Sequence, residues 1–263
     1  MCGGGFSPMS LVNYSSSSSD EALSENENSG DRVEILKMKN LLPKAIEKLG
    51  ENLKKDEIPQ DDCSEHEGRI RSFKHERGNW ATHVYIPVNL KAIEDIQEMC
   101  KNALQNVIHL HRSSDLHISL SKTVVLQYHF IESFWKSLQL ALDGFVSFTV
   151  CLRELKFYTN EERTRTFVGF EVDELYYETL HKLMSAVDSV MQEHKLAKFY
   201  EDASFHMSLL WCTGDHVQIL NAHLTELKAI LQTFQEQFGE NYCVNVNEIH
   251  CKTGNKKFIY NLK

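Results

Sequence analysis

The chain has 263 residues, of which 42% are hydrophobic, and a formal charge of −9. That is apolar material for one large domain or two small ones. No run approaches the length of a membrane span, and the N-terminus lacks a continuous apolar signal-peptide core, so a soluble, intracellular protein is expected.

The acidity is uneven. Residues 1–68 hold 14 Asp and Glu against 7 Lys and Arg, whereas residues 69–263 hold 23 against 21, so the second part is open to a polyanionic ligand. The seven cysteines (positions 2, 63, 100, 151, 212, 243 and 251) are odd in number and lack CxxC spacing. This speaks against a disulfide framework or a zinc knuckle and fits a reducing compartment.

In chain order, the Ser- and Asn-rich residues 1–31 bury too little to offset chain entropy and are expected to be disordered. A loose helical spacing from Val33 to Lys55, broken by Pro43, predicts a weak helix at most, and Asp56 to Gly68 reads as a linker. Residues 1–68 are thus an acidic N-terminal region, and the globular part covers 69–263.

Thr82–Val88 alternates like a strand, and apolar residues at 90, 93, 96, 99 and 104 outline a helix. Leu116 to Val125 reads as a strand, Phe130 to Leu142 as a second helix, and Val146–Tyr158 and Thr166–Val172 as strands around the polar turn Asn160–Arg163. A third helix follows, with apolar residues at 176, 180, 183, 187, 190 and 191. Then come a strand from Phe205 to Trp211, a single helix from His216 to Phe238, and strands Cys243–Lys252 and Lys256–Leu262 around Thr253-Gly254-Asn255. The fold class is α+β.

Two of these strands carry the same four-residue pattern, His117-Ile118-Ser119-Leu120 and His206-Met207-Ser208-Leu209, at matching places in a repeated order of elements. The arrangement predicts a duplicated two-lobe fold, each lobe a mainly antiparallel sheet with helices outside and the motif strands facing a central cleft. Strand alternation puts His117, Ser119 and Ser121 on one face and Ile118 and Leu120 on the other, and it separates His206 and Ser208 from Met207 and Leu209 in the same way. Two imidazoles that titrate near ~6.5 can act as one base and one acid. Two hydroxyls can donate to oxygens on which negative charge builds. That set suits in-line transfer at phosphorus, and in RNA the neighbouring 2′-OH supplies the nucleophile.

The paired His-x-Ser strands resemble the two-histidine phosphoesterase superfamily, whose members often carry Thr where this chain has Ser119 and Ser208. Longer stretches, Arg71 to Tyr85, Tyr158 to Phe167, Phe199 to Leu209 and Cys251 to Phe258, are similar to the U6 small nuclear RNA phosphodiesterases within it. The resemblance runs from about Arg69 to the C-terminus. It implies a nuclear, metal-independent 3′→5′ exoribonuclease that needs no cofactor. Such an enzyme trims the oligouridine 3′ end of U6 RNA, a single-stranded substrate, and leaves a 2′,3′-cyclic phosphate. It places catalysis on His117 and His206 with Ser119 and Ser208 beside them, and stacks a base on Tyr200. His117 is assigned as proton acceptor and His206 as donor. The chain is expected to act as a monomer, away from membranes.

Further candidates are Ser204, two residues before His206 and able to line the same face, and Arg165, suited to phosphate but in a turn flanked by Glu161 and Glu162. Arg163 shares that turn. His109 and His111 have a metal-compatible spacing but no evident third ligand, so a loop pair is expected, and Trp80 reads as a core anchor. Two rivals use the same residues: a cyclic phosphodiesterase that opens 2′,3′-cyclic ends by water attack, and a catalytically silent RNA-binding protein of the same fold.

Overall fold

The computed structural model describes residue 73 and residues 76–90, 93–238 and 242–263, so the expectations for residues 1–68 lie outside the described residues. The strands are β1 (Asn79–Pro87), β2 (His111–Arg112), β3 (His117–Ser119), β4 (Val124–Gln127), β5 (Phe148–Thr159), β6 (Arg165–Val172), β7 (His206–Thr213), β8 (Cys243–Val246), β9 (Glu248–Thr253) and β10 (Lys256–Asn261). The helices are α1 (Ile93–Leu104), α2 (Ile131–Leu142), α3 (Tyr177–Glu193), α4 (Val217–Ala222) and α5 (Leu224–Phe238). All strand pairings are antiparallel, in the order β10-β9-β1-β3-β7-β6-β5-β8, with β4 beside β1 and β2 beside β7.

That order has a geometric consequence. Strand β8 ends the path and β9 stands second from its other end, yet only Asn247 separates Val246 from Glu248. The sheet therefore has to curl until its two end regions meet. Leu262 N–H donates to the Asn247 carbonyl at 2.8 Å and Ser147 N–H to the Lys263 carbonyl at 2.8 Å, which ties the end of β10 to the entry of β5. The expected single strand Cys243–Lys252 is thus two strands that serve different end regions.

Other expectations are corrected in detail. The motif strands do not face each other across a gap: β3 and β7 pair directly, with Ile118 opposite Met207, so the two expected sheets are one continuous sheet. The run Leu116 to Val125 breaks after Ser119. Ser121 leaves the His117 face and is buried, accepting from Val84 N–H at 2.9 Å and donating to the Lys122 carbonyl at 2.9 Å. The helix from His216 divides at His223, where the weak helix formers Asn221 and His223 stand. In α1, Gln97 and Cys100 rather than Met99 complete the buried face. Gln97 is only 3% exposed because its amide donates to the Ser113 and Leu209 carbonyls, at 3.0 and 2.8 Å.

The cysteine expectation also changes. Cys151 and Cys243 stand in register on β5 and β8, their Cα atoms 3.9 Å apart, and are joined by a disulfide, while Cys100, Cys212 and Cys251 are free and buried. Cysteine spacing along the chain carries no information about a cross-strand neighbour.

The core forms behind the motif face. Ile118, Leu120, Met207, Leu209, Val84 and Phe170 are fully buried with the inward residues of the helices, among them Ile96, Leu138, Leu183 and Leu227. Trp80 packs against this core from beneath the β9–β10 hairpin. Gly254 in that turn has φ +56°, and a Cβ there would run into the Trp80 ring. Gly254→Ala is therefore expected to cost roughly 2–4 kcal/mol, from ~1 for left-handed backbone and ~1–3 for overpacking. Urea denaturation of the two proteins checks this, and equal midpoints would contradict it.

Candidate active site

Pairing of Ile118 with Met207 sets His117 beside Ser208 and Ser119 beside His206 by antiparallel register. The four side chains share the half-exposed face, and the residues between them are buried. The neighbouring strands add Tyr85, opposite Ser119 on β1, and on the other side Gly169 and Glu171, opposite Ser208 and His206 on β6.

Both imidazoles are held in the same way. His117 Nδ1 lies 2.7 Å from the Asp115 carbonyl, and His206 Nδ1 lies 2.8 Å from the Ser204 carbonyl. A carbonyl oxygen only accepts, so each Nδ1 carries the hydrogen and each Nε2 is left for proton exchange. Each tie reaches two residues back along the strand, which fixes the ring orientation without a second side chain.

Electrostatics favour the neutral rings. Burial lowers the pKa of His117, opposed by the Asp115 carbonyl and carboxylate. Burial also lowers that of His206, with the Ser204 carbonyl opposing, His117 lowering it further and Glu171 raising it. The rings thus act on each other. His83, with its ring centre 5.7 Å from that of His117, is lowered to about 4 by burial, by His117 and by Lys252. Asp115 is fixed by Lys252, 3.0 Å away, whose hydrogen bond and charge hold the carboxylate below its usual range.

The walls differ. Tyr85 meets His117 obliquely, at 5.1 Å and 58°. Tyr158 lies flat on His206, at 3.8 Å and 10°. Sequence reasoning passed over Tyr85, His83 and Tyr158, because no local pattern marks an aromatic that meets a histidine from another strand.

Of the other candidates, Ser204 serves through its carbonyl, which holds His206 Nδ1. Tyr200 is 40% exposed, with Lys122 Nζ 4.2 Å from its ring centre, and Lys122 also pairs with Glu161 at 2.6 Å. These three residues form a cluster around Lys122, three residues after the end of β3. Arg165 opens β6 opposite Thr213, at the other end of β7 from His206. Arg163, at φ +54°, is an exposed turn residue 3.4 Å from the Asp215 carboxylate. His111 is not in a loop: it opens β2 and stacks on Trp211 at 4.5 Å, with His109 against its edge. Among the described residues no cluster of His, Cys, Asp or Glu is arranged to hold a metal ion.

Because the folded-state pKa of His83 lies below that of the unfolded chain, the unfolded state binds more protons between about pH 6.5 and 4, and stability falls as pH drops through that window. His83→Gln is expected to flatten this slope in urea titrations run at a series of pH values. An unchanged slope would place His83 in water.

The family model HVSL, described as an uncharacterised conserved protein, matches residues 41–261. The U6 snRNA phosphodiesterase 1 of Drosophila melanogaster is 44% identical over 265 residues, covering 97% of this chain and all of that one. The Xenopus laevis protein of the same name is 41% identical, covering 95% and 98%, and the Homo sapiens protein is 42% identical, covering 79% of each. The solved structure of Kluyveromyces marxianus Usb1 is similar with a TM-score of 0.47 at 15% identity, over 70% of this chain and 98% of that one. With matched length this extensive and identity above 40% in all three relatives, the chain belongs to the HVSL family, together with the U6 snRNA phosphodiesterases.

Proposed function

We propose that the chain is an RNA phosphodiesterase that trims the 3′ end of U6 small nuclear RNA, a reading supported by relatives that carry that name along nearly their whole length. The observation that carries the chemistry is the direct pairing of β3 and β7, which puts two imidazoles with free Nε2 atoms and two hydroxyls on one polar face. In this reading the substrate is a single-stranded oligouridine end and removal proceeds 3′→5′. The working unit spans residues 69–263 and acts as a monomer in the nucleus. Its two halves are duplicated lobes joined at the β3–β7 seam.

His117 Nε2 takes the proton of the 2′-OH on the penultimate nucleotide. That oxygen attacks the adjacent phosphorus, and the bond to the 5′-oxygen of the last nucleotide breaks. His206 delivers a proton to the departing oxygen, so one nucleoside with a free 5′-OH leaves and the RNA ends in a 2′,3′-cyclic phosphate. Ser119 and Ser208 donate to the non-bridging oxygens. Tyr200, the exposed aromatic beside Lys122, stacks on the leaving base, a contact worth ~1–3 kcal/mol. Arg165, which opens β6 opposite Thr213, is a candidate contact to a phosphate further from the reacting one. The scheme uses no metal and no cofactor.

Two outcomes are expected. An oligouridine-tailed RNA incubated with the protein in EDTA gives a 3′-shortened ladder with cyclic phosphate ends by mass spectrometry. Linear phosphate ends would favour ring opening in the same site, and no cleavage by folded protein would favour a binding role. His117→Ala or His206→Ala lowers the rate by roughly 10²–10⁴, the usual worth of acid–base catalysis. A near-normal rate in either variant would remove that histidine from the chemistry.

A further inference from the structure

The two histidines share one backbone device but not one surrounding, and the difference lies in Tyr158. This residue comes from β5, two strands away from β7, and its ring reaches His206 by passing over Gly169 on β6. A Cβ at Gly169 would lie 3.0 Å from Tyr158 Cε2 and 3.2 Å from the Met207 carbonyl. Backbone freedom does not explain this glycine: its φ is ordinary, and the absence of a side chain is what lets the ring lie flat. The Tyr158 hydroxyl is buried without a hydrogen-bond partner among the described residues, and that burial strongly opposes its ionisation. The Ser204 carbonyl holds His206 Nδ1, so the imidazole is tied at its edge by the backbone and covered on its face by the Tyr158 ring.

We propose that Tyr158 is the positioning residue that makes His206, rather than His117, the proton donor: its ring face lies flat against the imidazole and favours the cation, and Gly169 is the gap that admits it. This rests on the proposed RNA phosphodiesterase reading. A ring face attracts a desolvated cation and leaves the neutral imidazole almost indifferent. His117 lacks such a partner, since Tyr85 meets it at 58°. The charged and titratable groups that act on His206 are His117 on β3, Glu171 on β6 and the phenol of Tyr158, and Glu171 in turn pairs with Lys156 of β5 at 2.5 Å. Glu171 acts in the same direction as Tyr158; His117, when charged, acts in the opposite one.

The test compares Tyr158→Leu, Tyr158→Phe and Gly169→Ala in the full chain, by NMR titration of the His206 ring and by the pH profile of kcat/KM on oligouridine. Leu keeps the ring buried but removes the π face. The expected result is a fall in the His206 midpoint by about half a pH unit or more. The alkaline limb of the profile moves by the same amount, and kcat falls about tenfold while KM changes little. Phe restores the midpoint and the limb, and Ala at 169 behaves like Leu at 158. A His206 midpoint that stays or rises in Tyr158→Leu overturns the proposal, as does Tyr158→Phe being as impaired as Tyr158→Leu. The titration needs no substrate. If the midpoints move as stated while the unaltered protein cleaves no RNA, the ring's hold on His206 stands and the phosphodiesterase reading is what fails.

Discussion

One residue of chain closes the sheet. The last strand of the pairing order and the strand second from its other end are separated by Asn247 alone, so the antiparallel sheet must bend round until its two end regions meet. The consequences reach the site. A flat sheet would leave its polar face open to water, whereas a curled one turns β5 and β6 toward β3. Tyr158 can then lie on His206, and Glu161 in the β5–β6 turn can meet Lys122 beyond β3. Burial of the histidines, the first cause of their lowered pKa values, follows from the same curvature.

Within that enclosure the backbone does most of the positioning. Each Nδ1 is tied to a carbonyl two residues upstream, so strand geometry fixes the tautomer and leaves the Nε2 atoms of two adjacent strands for proton exchange. The side chains then break the symmetry. On one side of the seam His117 has His83, an oblique Tyr85 and the Asp115–Lys252 pair; on the other His206 has a stacked phenol and the Glu171 carboxylate. A repeated motif thus yields two histidines in different surroundings.

Much of this was legible in the sequence, for identifiable reasons. The alternation of His117, Ile118, Ser119 and Leu120 and of His206, Met207, Ser208 and Leu209 encodes which face is buried, because side-chain direction in a strand depends only on position. The α3 face at Leu180, Leu183, Val187, Val190 and Met191 was equally plain from helical spacing. What escaped was every feature set by pairing between distant strands. The direct β3–β7 contact, the division of Cys243–Lys252 at Asn247, the Cys151–Cys243 bond and the Tyr158 stack all depend on which strand lies next to which. Ser121 shows the same limit in small: alternation assigned it to the His117 face, and its hydrogen bond with Val84 drew it into the interior.

The central claim is that the RNA supplies its own nucleophile and the two histidines only move protons. The most direct measurement replaces one atom of the substrate: an oligouridine-tailed RNA with a single 2′-deoxy nucleotide at the penultimate position, compared in EDTA with the all-ribose strand. The account predicts that the all-ribose strand loses its last nucleotide and the deoxy strand remains intact. Removal of the last nucleotide from the deoxy strand at a comparable rate would show that another nucleophile attacks phosphorus, and would contradict the account.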